Sequence, residues 1–271
     1  MRFGARVVVV VGVALLAGTG LGVGRASACN SGWDRDPNDG VHYWAGAQSS
    51  GTSYQVNGIQ SILSTTNPTV PDPGQYVGAW IGMWTYDNAG NTVLVQDGLL
   101  KQEGTGGVVT TFYQINVGPS GYVAWAGTPQ NLTPGDNNNY EVYYQGGHAY
   151  FDFNGSQKGA IDITDLNPPL NGITDLTPWY PLANGEVSSF AQQMPGTLNN
   201  QETWSTIELR RWAGSGTAWD SSMNQNWVTT GFPQGASGGV SQSSVNGAFK
   251  NTVADYYGYP VIQAYDTCSS S

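Results

Sequence analysis

The sequence predicts an all-β protein, an antiparallel β-sandwich of two packed sheets, and three observations carry that reading. Apolar and polar residues alternate with period two wherever Gly, Pro or Asn do not interrupt the chain. Turn-forming residues separate these stretches at short intervals. No window of helical periodicity is long enough for a major helix, which disfavours crossover helices and parallel strands. The composition agrees: 271 residues include 38 Gly, 15 Tyr and 10 Trp, with only 10% charged. Aromatic and small residues suit strands and turns.

The chain opens with Arg2 and Arg6 ahead of an apolar run, Val7 to Leu16, and the small residues Ala26-Ser27-Ala28 follow. That order is the pattern of a secretory signal peptide over 1–28, with cleavage before Cys29. A membrane anchor would need about 20 consecutive apolar residues, and Gly18 to Arg25 breaks the run. The predicted location is therefore secreted, with no membrane partner once the signal is gone. Cleavage removes Arg2, Arg6 and Arg25 and no acid, making the chain more acidic than its formal −10. Nucleic acid is an unsuitable partner, because phosphate binding needs clustered Lys and Arg.

Residues 29–53 read as an N-terminal lead and 54–271 as one domain. Asp34, Asp36, Asn38 and Gly40 resemble part of a calcium loop, but the helix pair and the terminal Glu are missing. The two cysteines, Cys29 and Cys268, stand near the two ends of the mature chain. An oxidising compartment allows them to form a disulfide, and a lipid-carrying Cys29 is the alternative.

Within the domain, Val77 to Trp84 alternates Val77, Ala79, Ile81 and Met83 on one face with Trp80 and Trp84 on the other. Thr92 to Leu99 sends Val93, Val95 and Leu99 one way and Thr92, Leu94 and Gln96 the other. Further strands are predicted at Thr110 to Val117, Tyr140 to Tyr144, Ala149 to Phe153 and Trp204 to Arg210. Turns are predicted at Asn88-Ala89-Gly90, 103–107, Pro134-Gly135-Asp136, Asn154-Gly155 and Asn171-Gly172. From Ala213 to Gly247 the chain is rich in Ser, Gly, Asn and Gln, the composition of long surface loops with short strands.

Chemistry has few residues to work with. Only His42 and His148 are present, and His148 sits at a predicted hairpin, so Ser-His-Asp constellations are poorly supplied. No Cys and His spacing suggests zinc, and no Gly-rich loop precedes a helix; neither metal nor cofactor is predicted. Carboxylates, amides and aromatics remain. Glu141, Glu202 and Glu208 read as solvated strand or turn residues. Asn131-Leu132-Thr133 and Asn154-Gly155-Ser156 have the form of glycosylation sequons.

A family resemblance enters at four stretches. Tyr54 to Val70, with its Asn-Pro ending, resembles the opening strand of neprosin-type domains, and Val77 to Trp84 resembles their next strand. Val95-Gln96-Asp97-Gly98-Leu99 stands where those domains carry a Glu-Ala-Gly-Trp-like stretch. It is also similar to the Leu-Gln-Thr-Gly stretch of the glutamic peptidases called eqolisins. Asn184-Gly185-Glu186-Val187, followed by Gln193-Met194-Pro195-Gly196, resembles a neprosin pair of motifs. Where eqolisins carry Trp-Tyr-Glu-Trp, this chain has Phe112-Tyr113-Gln114-Ile115.

The resemblance implies a concanavalin A-like jelly roll and a Gln and Glu dyad. Carried over, the dyad is Gln96 and Glu186. Glu186 would deprotonate the attacking water, and the Gln96 amide would stabilise the oxyanion. An unperturbed Glu titrates near about 4.3, so an acidic optimum is expected. Trp80, Trp84, Phe112 and Gln114 are candidate substrate contacts, and core packing is the alternative for the aromatics. The leading reading is a monomeric secreted endopeptidase acting on polypeptide. The alternative is a non-catalytic module that grips polysaccharide or extended peptide.

Overall fold

Alternation becomes two sheets. The computed structural model describes residues 43–49, 56–68, 70, 75–102, 107–118, 122–166, 169–187, 196, 200–212, 217–220, 227–228, 240–241, 249–256 and 259–266. One sheet, here sheet A, holds β1 (Tyr43–Ser49), β3 (Tyr76–Tyr86), β4 (Thr92–Gln102), β5 (Val109–Val117), β6 (Tyr122–Trp125), β10 (Tyr180–Val187), β13 (Trp227–Val228) and β14 (Val240–Ser241). Sheet B holds β2 (Val56–Ser64), β7 (Asn137–Gln145), β8 (His148–Phe153), β9 (Ser156–Asp162), β11 (Glu202–Trp212), β12 (Thr217–Asp220), β15 (Phe249–Tyr256) and β16 (Tyr259–Asp266). One short 3-10 turn, Ile163–Asp165, is capped by the Asp162 side chain, which accepts from the Thr164 amide. The antiparallel β-sandwich is as the alternation predicts.

Sheet A runs β13-β1-β10-β3-β4-β5-β6, and sheet B runs β15-β16-β11-β2-β7-β8-β9. Every pairing among the described strands is antiparallel except β14 against β1. Residues 43–49, expected in a lead, instead form β1 and pair along β10 from Tyr43 opposite Val187 to Gln48 opposite Leu182. Residues 1–28, Cys29, Cys268, His42, the Asp34 to Gly40 stretch, most of Ala213 to Gly247 and Gln193-Met194-Pro195 lie outside the described residues.

The core lies between the sheets. Val77, Ala79, Ile81 and Met83 on β3, and Val93, Val95 and Leu99 on β4, face Ile59, Leu63, Tyr140, Val142, Phe151, Trp204 and Leu209 from sheet B. These side chains are withdrawn from water, at roughly 25 cal/mol per Å² of apolar surface. Turn chemistry closes the strands as expected: Asn154 and Gly155 take φ of 50° and 71°, the left-handed pair of a two-residue hairpin between β8 and β9.

Two polar residues break the pattern from within. Asp97 sits in the core with neither carboxyl oxygen in a well-formed hydrogen bond; burial pushes its pKa well up, the nearby Glu141 backbone amide opposes this, and the Asp152 and Glu141 charges add to it. Glu202 is fully buried rather than solvated. It accepts from Thr66 Oγ1 at 2.6 Å and Ser64 Oγ at 3.2 Å. Burial outweighs those bonds and lifts it to about 8. Its place on β11 explains the correction: Glu202 shares the inward face with Trp204, two residues on.

Candidate active site

Residues opposite one another in an antiparallel ladder share a face, so the registers of sheet A define its outer side. Four rows cross it. Glu186 on β10 stands opposite Gly78 on β3, and Gly78 opposite Leu100 on β4. The next row is Asn184, Trp80, Gly98 and Phe112; then Leu182, Gly82, Gln96, Gln114 and Trp125; then Tyr180, Trp84, Leu94 and Asn116. All six candidates, Gln96, Glu186, Trp80, Trp84, Phe112 and Gln114, thus fall on one face, turned away from the core.

That face carries its own apolar cluster: Trp80, Trp84, Leu94, Phe112 and Leu182, with Leu100 and Tyr180 packed against it. Trp84 stacks on Tyr180 at 4.5 Å between ring centroids, and Phe112 meets Trp125 edge-on at 6.4 Å. The aromatics are therefore neither part of the inter-sheet core nor open to solvent. Trp125, at 60% exposed, and Tyr86 mark the parts of this face that reach water.

Glu186 is buried among these rings and is held by two donors. Tyr76 donates its hydroxyl to Oε1 at 2.6 Å, and Trp80 donates Nε1–H to Oε2 at 2.9 Å. These hydrogen bonds fix the carboxylate plane. Tyr76 responds in turn: burial, the Glu186 charge and the hydrogen bond to it push the phenol well above its ordinary value. Trp80 is anchored from behind, because Trp204 of sheet B donates Nε1–H to its backbone carbonyl at 3.1 Å.

Gln96 belongs to a different constellation. Gln114, directly across the β4–β5 ladder, donates Nε2–H to Gln96 Oε1 at 2.5 Å. Gln96 is 2% exposed, so it is not a polar residue on a half-solvated strand. Between Gln96 and Glu186 lie two strand steps and four residues of register, which separates their Cα atoms by roughly 17 Å in regular sheet geometry. Trp80 fills the diagonal. Its ring carbon Cζ3 would lie 3.2 Å from a Cβ at Gly82, while a Cβ at Gly98 would meet the Trp80 Cα and Cβ at 2.6 Å. Glycine at 82 leaves room for the indole, and at both positions it avoids a neighbouring backbone carbonyl, Val95 O at 2.5 Å from a Cβ at 82 and Ala79 O at 2.2 Å from one at 98.

Tyr76 and Asn184 escaped the sequence reading. Their signal was parity alone: Tyr76 precedes Gly78, Trp80 and Trp84 at even spacing, and Asn184 precedes Glu186 by two. Glu141 and Glu208 lie on the outer face of sheet B, both half-buried rather than solvated. Gln60 donates to Glu208, and burial followed by Asp152 raises Glu141 to about 7. Arg210 lies over the Tyr143 ring at 3.9 Å, and Tyr143 stacks on Tyr150 at 4.9 Å. His148 opens β8 after the Gly146-Gly147 turn, part-exposed as expected, 3.6 Å from Asp162. Among the described residues no group of three or more His, Cys, Asp or Glu could hold a metal ion.

No protein-family profile matches the chain, and no curated protein matches it. Some solved structures are similar to it over part of their fold. SCP-B, a member of the eqolisin family of peptidases in complex with the tripeptide Ala-Ile-His, is similar over 83% of this chain and 98% of its own, at 10% identity and a TM-score of 0.47. Scytalido-glutamic peptidase with a peptide-based transition-state analogue is similar over the same shares at 11% identity and a TM-score of 0.45. A β-1,3-glucanase from Mycobacterium marinum is similar over 52% of this chain and 56% of its own, at 11% identity and a TM-score of 0.35.

Proposed function

We propose that the outer face of sheet A binds extended polypeptide and that Glu186 hydrolyses it, making the protein a secreted glutamic-type endopeptidase. One observation carries this: a carboxylate buried among aromatic rings, its two oxygens fixed by Tyr76 and Trp80. A carboxylate so oriented can accept a proton from water lying over the face. Gln96 and Gln114 serve further along the face, as amides that pair with an extended backbone. Export through residues 1–28 and a Cys29 to Cys268 disulfide are part of the same reading. The acidic composition suits solubility outside the cell.

The test is cleavage of denatured polypeptide between about pH 3 and 7 by the mature protein and by Glu186→Gln. Cleavage is expected in acid, with a loss of at least about a hundredfold in the variant. Activity that survives Glu186→Gln would overturn the assignment. A second reading is favoured by the Gln96 and Gln114 pair and the exposed Trp125 on one face: a non-catalytic module that holds polysaccharide or peptide by stacking and amide hydrogen bonds. Binding by both proteins with cleavage by neither would select it.

A further inference from the structure

We propose that the core of the sandwich holds an ordered water site walled by Asp97, Tyr113 and Tyr140, in which shared water joins oxygens carried by the two sheets. Asp97 on β4 stands opposite Tyr113 on β5 in sheet A, while Tyr140 belongs to β7 of sheet B. All three point inward, among Val95, Leu99, Val142 and Phe151. The site does not depend on the peptidase reading.

Four oxygens sealed from solvent carry the inference. Asp97 and Tyr140 are 0% exposed and Tyr113 is 1%, yet both carboxyl oxygens and both hydroxyls lack a well-formed hydrogen bond. The Thr111 hydroxyl lies near Tyr113, and the Glu141 backbone amide near Asp97. Each of the three side chains lies close enough to the other two to interact with them electrostatically. A buried oxygen left unmatched costs stability. Native interiors meet such groups with ordered water held by about two to four polar partners.

The walls suit water rather than a cation. Burial pushes the Asp97 carboxyl and both tyrosine hydroxyls above their ordinary values, so in acid all three keep their protons. Each is then a donor and an acceptor without charge, which two hydrogens and two lone pairs of water can meet. A bound cation would call for ionised ligands, and Asp97 supplies the one carboxyl among these walls. The site also lies directly behind the candidate face. Asp97 follows Gln96 on β4, and Tyr113 precedes Gln114 on β5. Water bonded to all three side chains ties these strands to β7 at the row beside the glutamine pair and braces that part of the face from within.

A high-resolution crystal structure of the mature protein grown in mild acid tests the site directly. Water is expected within hydrogen-bond distance of Asp97 and of at least one tyrosine hydroxyl. Side chains bonded directly to one another, or a dry space between them, would overturn the proposal. Stability supplies a second arm. Tyr113→Phe and Tyr140→Phe should each lower the melting midpoint by about 2–4 °C, through loss of one hydrogen bond to water. Tyr144→Phe sets the scale, because the Tyr144 hydroxyl donates directly to the Ile173 carbonyl at 3.1 Å. The double variant should lose less than the sum of the two single losses, since both hydroxyls share the water. A midpoint that rises in either single variant means that its hydroxyl was unmatched, and strictly additive losses mean that no water is shared; either result overturns the proposal. The midpoint of the unmodified protein should be the same in sodium, potassium and calcium chloride at equal ionic strength. A rise specific to one cation that Asp97→Asn abolishes would put that cation in the site instead of water.

Discussion

Neighbouring residues on β4 show how one step of a pleat separates chemistry from structure. Gln96 faces outward to meet Gln114, whereas Asp97 turns into the core beside Tyr113, its partner across the ladder. Asp97, Tyr113 and Tyr140 all carry unmatched oxygens there. Because burial raises Asp97, the folded state holds its proton where the unfolded chain would release it, and stability is lost as pH rises. Asp97→Asn is therefore expected to raise the melting midpoint at pH 7 by about 2–4 °C, equivalent to about 1 kcal/mol, and to change it little near pH 3. Calorimetry at the two pH values checks this; an equal shift at both would reject it. Tyr76→Phe removes the hydroxyl that donates to Glu186 Oε1. Cleavage kcat should then fall at least about tenfold, since a hydrogen bond to a charged group is worth about 1.5–3 kcal/mol, and an unchanged kcat would show that Tyr76 does not position the base.

Elements were easier to read than their insertion points. The predicted strands over Val77 to Trp84, Thr110 to Val117 and Ala149 to Phe153 appear within a few residues, because period two and turn residues are local signals. β1 was missed because its short segment, Tyr43–Ser49, carries Gly and Ala whose partner, β10, lies over a hundred residues away. β11 illustrates a feature that no periodicity reveals. Its register shifts between Ser205 and Glu208, and Thr206 takes φ of 51°, a left-handed backbone for a β-branched residue. Thr206 is exposed, so Thr206→Gly should relieve strain and stabilise the fold by about 1 kcal/mol. Denaturant unfolding measures the change; a destabilised variant would mean that the Thr side chain contributes more than its backbone strain costs.

At the scale of the molecule, four carboxyls withdrawn wholly or partly from water share a direction. Glu202 is raised to about 8, Glu141 to about 7, and Asp97 and Asp152 are raised as well. Asp162 is lowered, chiefly by Thr164. For the raised group the native state binds more protons than the unfolded chain between the ordinary carboxyl range and the folded values, so stability is full below about pH 4 and falls as pH rises toward 8. Asp162 works the other way, near the surface and at lower pH. The melting midpoint should therefore be highest in mild acid, and Glu202→Gln should flatten its decline above pH 5. A midpoint that rises from pH 4 to 8 would contradict the burial of these groups. The same acid range suits the proposed hydrolysis.

What the sequence determined by itself was the sandwich, the faces of β3 and β4, and the short list of residues able to do chemistry, because alternation and turn propensity are written locally. The candidates Trp80, Trp84, Phe112, Gln96, Gln114 and Glu186 reach one face for that reason. Only tertiary structure decided who meets whom. Strand order brings β10 beside β3, so Glu186 receives Tyr76 and Trp80 rather than Gln96. The same order packs Gly46 against Asn184 and buries Glu202. Register between strands distant in sequence is set by long-range packing, and no single strand carries that information.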